Sequence, residues 1–102
     1  MKELFGNYIR EKRLSLQKED KKFSLRQVAG RIGIEPSYLS KLERGKENYL
    51  SEDKIATLAD ELGEDKDVLL ALIGKVSLDI QGIIKKRPQL FAQLIRELKN
   101  KN

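Results

Sequence analysis

The sequence contains no histidine, no cysteine and no tryptophan. Metal sites that use imidazole or thiolate ligands are therefore excluded, and so are nucleophile–base pairs built on Cys or His. Without cysteine the chain forms no disulfide, so nothing in it points to an oxidising compartment. Glycine-rich phosphate-binding patterns are also absent, and the Asp and Glu residues show no pairing that would converge on a pocket. We therefore predict that the protein is not an enzyme and uses no metal and no cofactor.

Long apolar runs are missing as well. The longest, Val68–Ile73, falls far short of the ~20 residues that a membrane-spanning helix needs. The charged N-terminus has no apolar run behind it, which argues against a signal peptide. We therefore expect a cytoplasmic protein without membrane contacts. At 102 residues the chain has the length of one domain and leaves no room for a separate ligand-binding domain, so we expect no small-molecule effector.

What the chain does have is charge, and the charge is unevenly placed. Lys and Arg total 21 against 16 Asp and Glu, which gives a net charge of +5. Residues 1–50 carry 12 basic and 7 acidic side chains, residues 51–74 carry 2 and 7, and residues 75–102 carry 7 and 2. This segregation favours a basic working surface for an anionic partner and an acidic segment turned elsewhere. Solvated helix faces whose net charges differ in sign would give the same counts of basic and acidic residues, so composition leaves both interpretations open.

The apolar residues recur at helical spacing, and we predict an all-α fold. The first helix is expected over about Lys2–Leu16, with Leu4 and Tyr8 on the same inner face as Phe5 and Ile9. The charged stretch Gln17–Lys22 fits either a loop or a solvated extension of that helix. Later helices are expected from Ser51 to Gly63, over Val68–Ile73, from Ser77, and from Pro88 to the end of the chain.

The second and third helices have the clearest boundary signals. Ser24 is a good N-cap, and Gln27 can reach back to its backbone N–H to complete a capping box. This helix is expected over Leu25–Ile32 and ends at Gly33, which suits the left-handed position after a helix. Pro36, favoured at the first helical position, opens a third helix to about Arg44.

Two short helices joined by a three-residue turn containing glycine form a helix-turn-helix, whose second helix lies in the DNA major groove. Tight helix pairs also occur in purely structural bundles, so the spacing alone is a weak signal. Leu39 and Leu42 would face the core. The side chains then presented outward are those of Pro36, Ser37, Tyr38 and Lys41.

The residues themselves are more specific than the spacing. The segment Ser24–Ala29, the Gly33-Ile34 pair and the segment Ser37–Lys46, which ends Leu-Glu-Arg-Gly-Lys, closely resemble the lambda-repressor/Cro-like (XRE) family of bacterial and phage transcriptional regulators. The resemblance covers about residues 3–74. It implies a five-helix DNA-binding domain over residues 1–74 and leaves residues 75–102 as a two-helix C-terminal extension.

The resemblance also implies site residues. Positions matching Pro36, Ser37 and Lys41 read base edges, with Tyr38 beside them, and positions matching Lys46 and Asn48 approach phosphates. In the family, the glutamate at the position of Glu43 pairs with an arginine of the first helix, which implies a structural ion pair between Glu43 and Arg13 here. Family members often carry a phosphate-contacting Gln at the position of Leu25, so Ser24 or Arg26 would take over that contact. From charge alone, and not from a family motif, we assign Arg26, Arg31 and Arg44 as further phosphate contacts.

The C-terminal extension carries a markedly apolar last helix. Its apolar residues are Leu90, Phe91, Leu94, Ile95 and Leu98. They would form a homodimer interface, pad the core, or bind a different protein.

We predict a sequence-specific regulator of transcription that binds double-stranded DNA, acting as a repressor and as a homodimer on a pseudo-palindromic operator. The alternative is an antitoxin-like or phage-type regulator whose C-terminal helices bind a partner protein.

Overall fold

A computed structural model of the protein describes the backbone of residues 2–47 and 49–101, and the side chains from residue 4 onward within those ranges. In this part of the chain all regular secondary structure is helical and there is no β-strand, which confirms the predicted all-α fold. The α-helices are α1 Lys2–Glu19, α2 Leu25–Ile32, α3 Pro36–Glu43, α4 Glu52–Leu62, α5 Lys66–Leu72, α6 Leu78–Lys86 and α7 Pro88–Asn100. No helix among the described residues is long and apolar enough to cross a membrane.

The first helix is longer than its apolar pattern predicts. α1 continues to Glu19 and is followed by a 3₁₀ turn, Lys21–Phe23, so part of the charged stretch is a solvated extension of the helix. The turn begins at Asp20, whose carboxylate accepts a hydrogen bond from the backbone N–H of Lys22 at 3.0 Å. This local cap ends the helix, because an Asx-type bond offers the backbone an alternative to helical pairing.

The inner face of α1 differs from the prediction. Phe5 and Ile9 are fully buried as expected, but Leu4 is 56% exposed and Tyr8 is 38% exposed. The reason is Gly6, which faces the end of α3 so closely that a Cβ there would overlap the carbonyl oxygen of Leu42. This close approach fixes the rotation of α1 about its axis. It turns Leu4 and Tyr8 outward, so the expectation that they share the buried face was wrong.

The predicted boundaries of α2 are confirmed, with one change in the capping. The Ser24 hydroxyl accepts from the N–H of Gln27 at 3.3 Å, and Gly33 adopts the left-handed conformation with φ 75°. The return bond of the capping box does not form, because the Ser24 N–H donates to the carbonyl of Lys21 at 3.1 Å. The preceding 3₁₀ turn has taken the donor that Gln27 would have satisfied.

The hydrophobic core lies among α1 to α5. Its buried residues come from all five helices and from Leu50 in the loop before α4. α6 and α7 contain no buried residue and pack mainly against each other, forming a C-terminal helix pair with its corner at Arg87. The C-terminal helices therefore do not pad the core, which removes one of the three roles considered for them.

Candidate nucleic-acid interface

The α2–turn–α3 unit is held together by backbone bonds and close packing. The N–H of Ile34 donates to the carbonyl of Ala29 at 3.0 Å, and Ala29 is fully buried between the helices. Pro36 occupies the first turn of α3, where its missing N–H costs no hydrogen bond. The sequence thus produces a compact helix-turn-helix with one defined angle between its two helices.

Two of the four predicted base-reading residues share the exposed face of α3. Leu39 and Leu42 are buried, whereas Ser37 and Lys41 are exposed and lie one helical turn apart. Pro36 is half-buried beside them. The backbone N–H groups of Lys46 and Glu47 both bond the carbonyl of Lys41, at 2.8 and 3.3 Å, so the following loop folds back against the end of α3.

Tyr38 has a different environment from the one its predicted role implies. Its hydroxyl donates to the backbone carbonyl of Tyr49 at 2.7 Å, and its half-buried ring packs against the core. Burial raises the pKa of the Tyr38 hydroxyl, and the charge of Glu47 raises it further. The hydroxyl therefore braces the loop after α3, and its hydrogen is not free to donate to a phosphate, whereas the ring can still contact a sugar or a thymine methyl.

The predicted phosphate contacts fall into distinct environments. Arg26 and Lys46 are exposed, and so is Arg44, whose Nε bonds the backbone and the hydroxyl of Ser40 one turn earlier. The Ser24 oxygen accepts the capping bond, which leaves its hydroxyl hydrogen for another acceptor. Asn48 lies outside the described residues.

Arg31 is engaged within the protein. Its Nε donates to the carboxylate of Glu61, one Nη donates to the carbonyl of Lys22 at 2.6 Å, and its guanidinium lies 5.7 Å from the Phe23 ring centroid. These contacts tie the 3₁₀ turn to α4. Assignment from charge alone missed this role, because no local spacing reveals a partner thirty residues away.

The structure brings Arg13 and Glu43 together in a bidentate ion pair. Nε lies 2.7 Å from Oε2 and Nη2 lies 2.9 Å from Oε1, and the two residues are 6% and 4% exposed. Nη1 of Arg13 also donates to the carbonyl of Phe23 and to Gln17, both at 3.2 Å. The pair fastens the C-terminal end of α3 to α1.

Part of the acidic segment is neutralised by internal contacts. Glu64 lies 3.3 Å from the Lys12 ammonium and accepts a hydrogen bond from the Tyr8 hydroxyl. That bond lowers the pKa of Glu64, with Lys12 adding to the effect, and it raises the pKa of Tyr8. At the far end of the segment, Glu52 accepts from the N–H of Leu78 at 3.3 Å and so anchors the start of α6.

The predicted dimer residues divide into two sets on α7. Phe91 and Ile95 are half-buried. Leu90, Leu94 and Leu98 are 56%, 51% and 61% exposed and form one stripe along the helix. Leu90 and Leu94 border a groove of about 260 Å³ between α6 and α7, together with Phe91 and the α6 residues Ile80, Ile83 and Ile84.

This arrangement of helices defines the class of DNA-binding helix-turn-helix proteins. In a comparison with known families, residues 12–75 match the helix-turn-helix domain family. The match spans more than half of the chain, so the protein belongs to that family, of the XRE/lambda-repressor type, which places it among the DNA-binding regulators. No curated protein and no solved structure gives a match.

Proposed function

We propose that the protein is a sequence-specific transcriptional repressor that binds double-stranded DNA as a homodimer. The observation that carries the proposal is the exposed face of α3, which places Ser37 and Lys41 outward on a rigid two-helix unit. A recognition helix needs this arrangement, because base edges are read by side chains that project from a helix seated in the major groove.

The residues divide into base readers and phosphate binders. Lys41 donates to guanine O6 or N7, and the Ser37 hydroxyl bonds either a donor or an acceptor on a neighbouring base. The side chain of Pro36 forms no hydrogen bond and contributes only to the shape of the surface that meets the DNA. Arg26, Arg44 and Lys46 bind phosphates together with Ser24, and these contacts set the register without reading sequence. Because Arg31 is engaged with Glu61, we leave it out of this surface.

The α7 stripe supports the homodimer. Three leucines about half exposed on one terminal helix are more apolar surface than a monomeric domain normally shows, and a second copy of the C-terminal helix pair would cover them. The segment that leads into the C-terminal helix pair runs beside the loop that follows α3, where the Lys75 ammonium lies 5.1 Å from the Tyr49 ring centroid. Two joined C-terminal helix pairs would hold two recognition helices at half-sites one DNA turn apart, about 34 Å.

Repression then needs no chemistry, only occupancy of a promoter. A dimer on a pseudo-palindromic operator excludes other proteins from the same stretch of DNA. The DNA contacts are electrostatic in large part, so occupancy depends steeply on salt.

The test combines a salt titration with light scattering. Three phosphate-binding cations per protomer predict a slope of log K against log salt of about −5 for a dimer on random duplex DNA. Light scattering is expected to give the mass of two chains. Absence of binding at low salt would refute the proposal. A monomer that co-purifies with a different protein on the α7 stripe would replace the homodimer with the partner-binding alternative.

A further inference from the structure

A lysine from α4 reaches into the turn of the helix-turn-helix. The Nζ of Lys54 lies 3.0 Å from the carbonyl oxygen of Ile32 and 3.0 Å from that of Gly33. The side chain is half-buried, and its own backbone N–H is fixed by the Ser51 cap at 3.2 Å. The lysine therefore extends from an anchored position to the point where α2 ends.

The two carbonyls need such a partner. The last carbonyls of a helix have no intrahelical donor, and a cation there also interacts favourably with the helix dipole. The N–H groups of Gly33 and Ile34 are used within the turn, on carbonyls of Gly30 and Ala29. Gly33 has a positive φ of 75°, which favours glycine, and a Cβ there would lie 2.6 Å from the Lys54 Nζ and would displace the ammonium from its place against the turn.

The contact lies near the end of α3 that would read bases. The opposite end is held by the Arg13–Glu43 pair, and the loop beyond it by Tyr38. At the N-terminal end of α3, Glu35 occupies the cap position without a side-chain capping bond. The Lys54 ammonium is thus a polar tie between the α2–α3 turn and the rest of the domain.

We propose that Lys54 is a positioning residue for DNA recognition, which fixes the turn and thereby the angle at which α3 presents Ser37 and Lys41. The inference rests on the proposed function of the α3 face. We assign the action of Lys54 to the turn, because two of its three donors are bound to the carbonyls there.

The experiment compares Lys54→Met with the wild type in the full chain. Methionine keeps an unbranched stem and removes the donors. Two duplexes are titrated, one that the wild type selects from a randomised library and one scrambled duplex of the same composition. We expect the ratio of the two affinities to fall by about tenfold or more, because base contacts depend on the position of α3 and phosphate attraction does not. Helix content by circular dichroism is expected to stay unchanged.

Two further variants make the result decisive. Lys54→Arg keeps donors at this position and is expected to hold the ratio close to that of the wild type. Lys66→Met removes a lysine from the neighbouring α5 and serves as the charge control. If Lys54→Met does not fold, Lys54→Gln, whose shorter side chain falls short of the carbonyls, is titrated in its place with the same expected fall in the ratio.

The outcomes separate the inference from the proposed function. Equal weakening on both duplexes, with the ratio unchanged, would mean that Lys54 only stabilises the fold and would overturn the inference. An equal fall in the ratio for Lys54→Met and Lys54→Arg would show that donors at this position do not preserve the ratio, and it would also overturn the inference. If the wild type itself shows no preference between duplexes, the proposed function fails instead.

Discussion

Removing the charge of Glu43 is expected to destabilise the whole domain. Glu43→Gln keeps the shape of the side chain but leaves the Arg13 guanidinium, 6% exposed, without its counter-charge. Breaking one side of a buried ion pair costs about 3–5 kcal/mol, because the remaining charge stays desolvated. Each kcal/mol moves the melting temperature of a domain of this size by about 4–8 °C, so Tm should fall by at least about 12 °C.

Thermal unfolding followed by circular dichroism measures this effect directly. The matched control is Glu61→Gln, which breaks the more exposed pair with Arg31 and should cost no more than about 1 kcal/mol. Replacing both partners with apolar residues, Arg13→Met with Glu43→Leu, should recover much of the loss, because no unpaired charge is left behind. A Glu43→Gln protein that melts within about 4 °C of the wild type would refute the claim that this pair holds α3 on α1.

Three further substitutions test the packing, the dimer and the DNA surface. In urea unfolding, Gly6→Ala should lower the free energy of unfolding by about 1–3 kcal/mol or more, because the added Cβ meets the end of α3. Gly30→Ala is the control, since its Cβ meets open space and should raise the free energy of unfolding by about 0.5–1 kcal/mol. Equal effects of the two substitutions would contradict the close approach of Gly6 to α3. Leu94→Glu should give a monomer in light scattering with little change in Tm, while the control Gln93→Glu should stay dimeric. A Leu94→Glu protein that is still a dimer would rule out the α7 stripe as the dimer interface. Lys46→Ala should weaken binding to all duplexes alike and make the salt slope shallower by about 1 per protomer, and an unchanged slope would remove Lys46 from the phosphate contacts.

Local signals in the sequence were enough to place the helix-turn-helix. Ser24, Gly33 and Pro36 act on the backbone within a few residues of themselves, so the boundaries of α2 and the start of α3 follow from them directly. The end of α1 was less predictable, because its charged last turn has no apolar residue to mark it as helix and its stop depends on the Asp20 cap.

Long-range partners could not be read from spacing. Arg31 and Tyr38 look like free DNA contacts in the sequence, but their partners Glu61 and the Tyr49 carbonyl are brought to them only by tertiary packing. Lys54 is an ordinary first-turn lysine until α4 is docked beside the α2–α3 turn. The Arg13–Glu43 pair was anticipated only through the family resemblance, because thirty residues separate the partners.

The proposed function requires that the α3 face reads DNA sequence in a two-fold arrangement. Selection of bound fragments from the host genome tests it most directly, with Lys41→Ala carried through the same selection. We expect enrichment of a pseudo-palindromic site whose half-sites lie about 34 Å apart, with the base preference at one position of each half-site relaxed in the variant. A wild-type pool indistinguishable from the input fragments would contradict it.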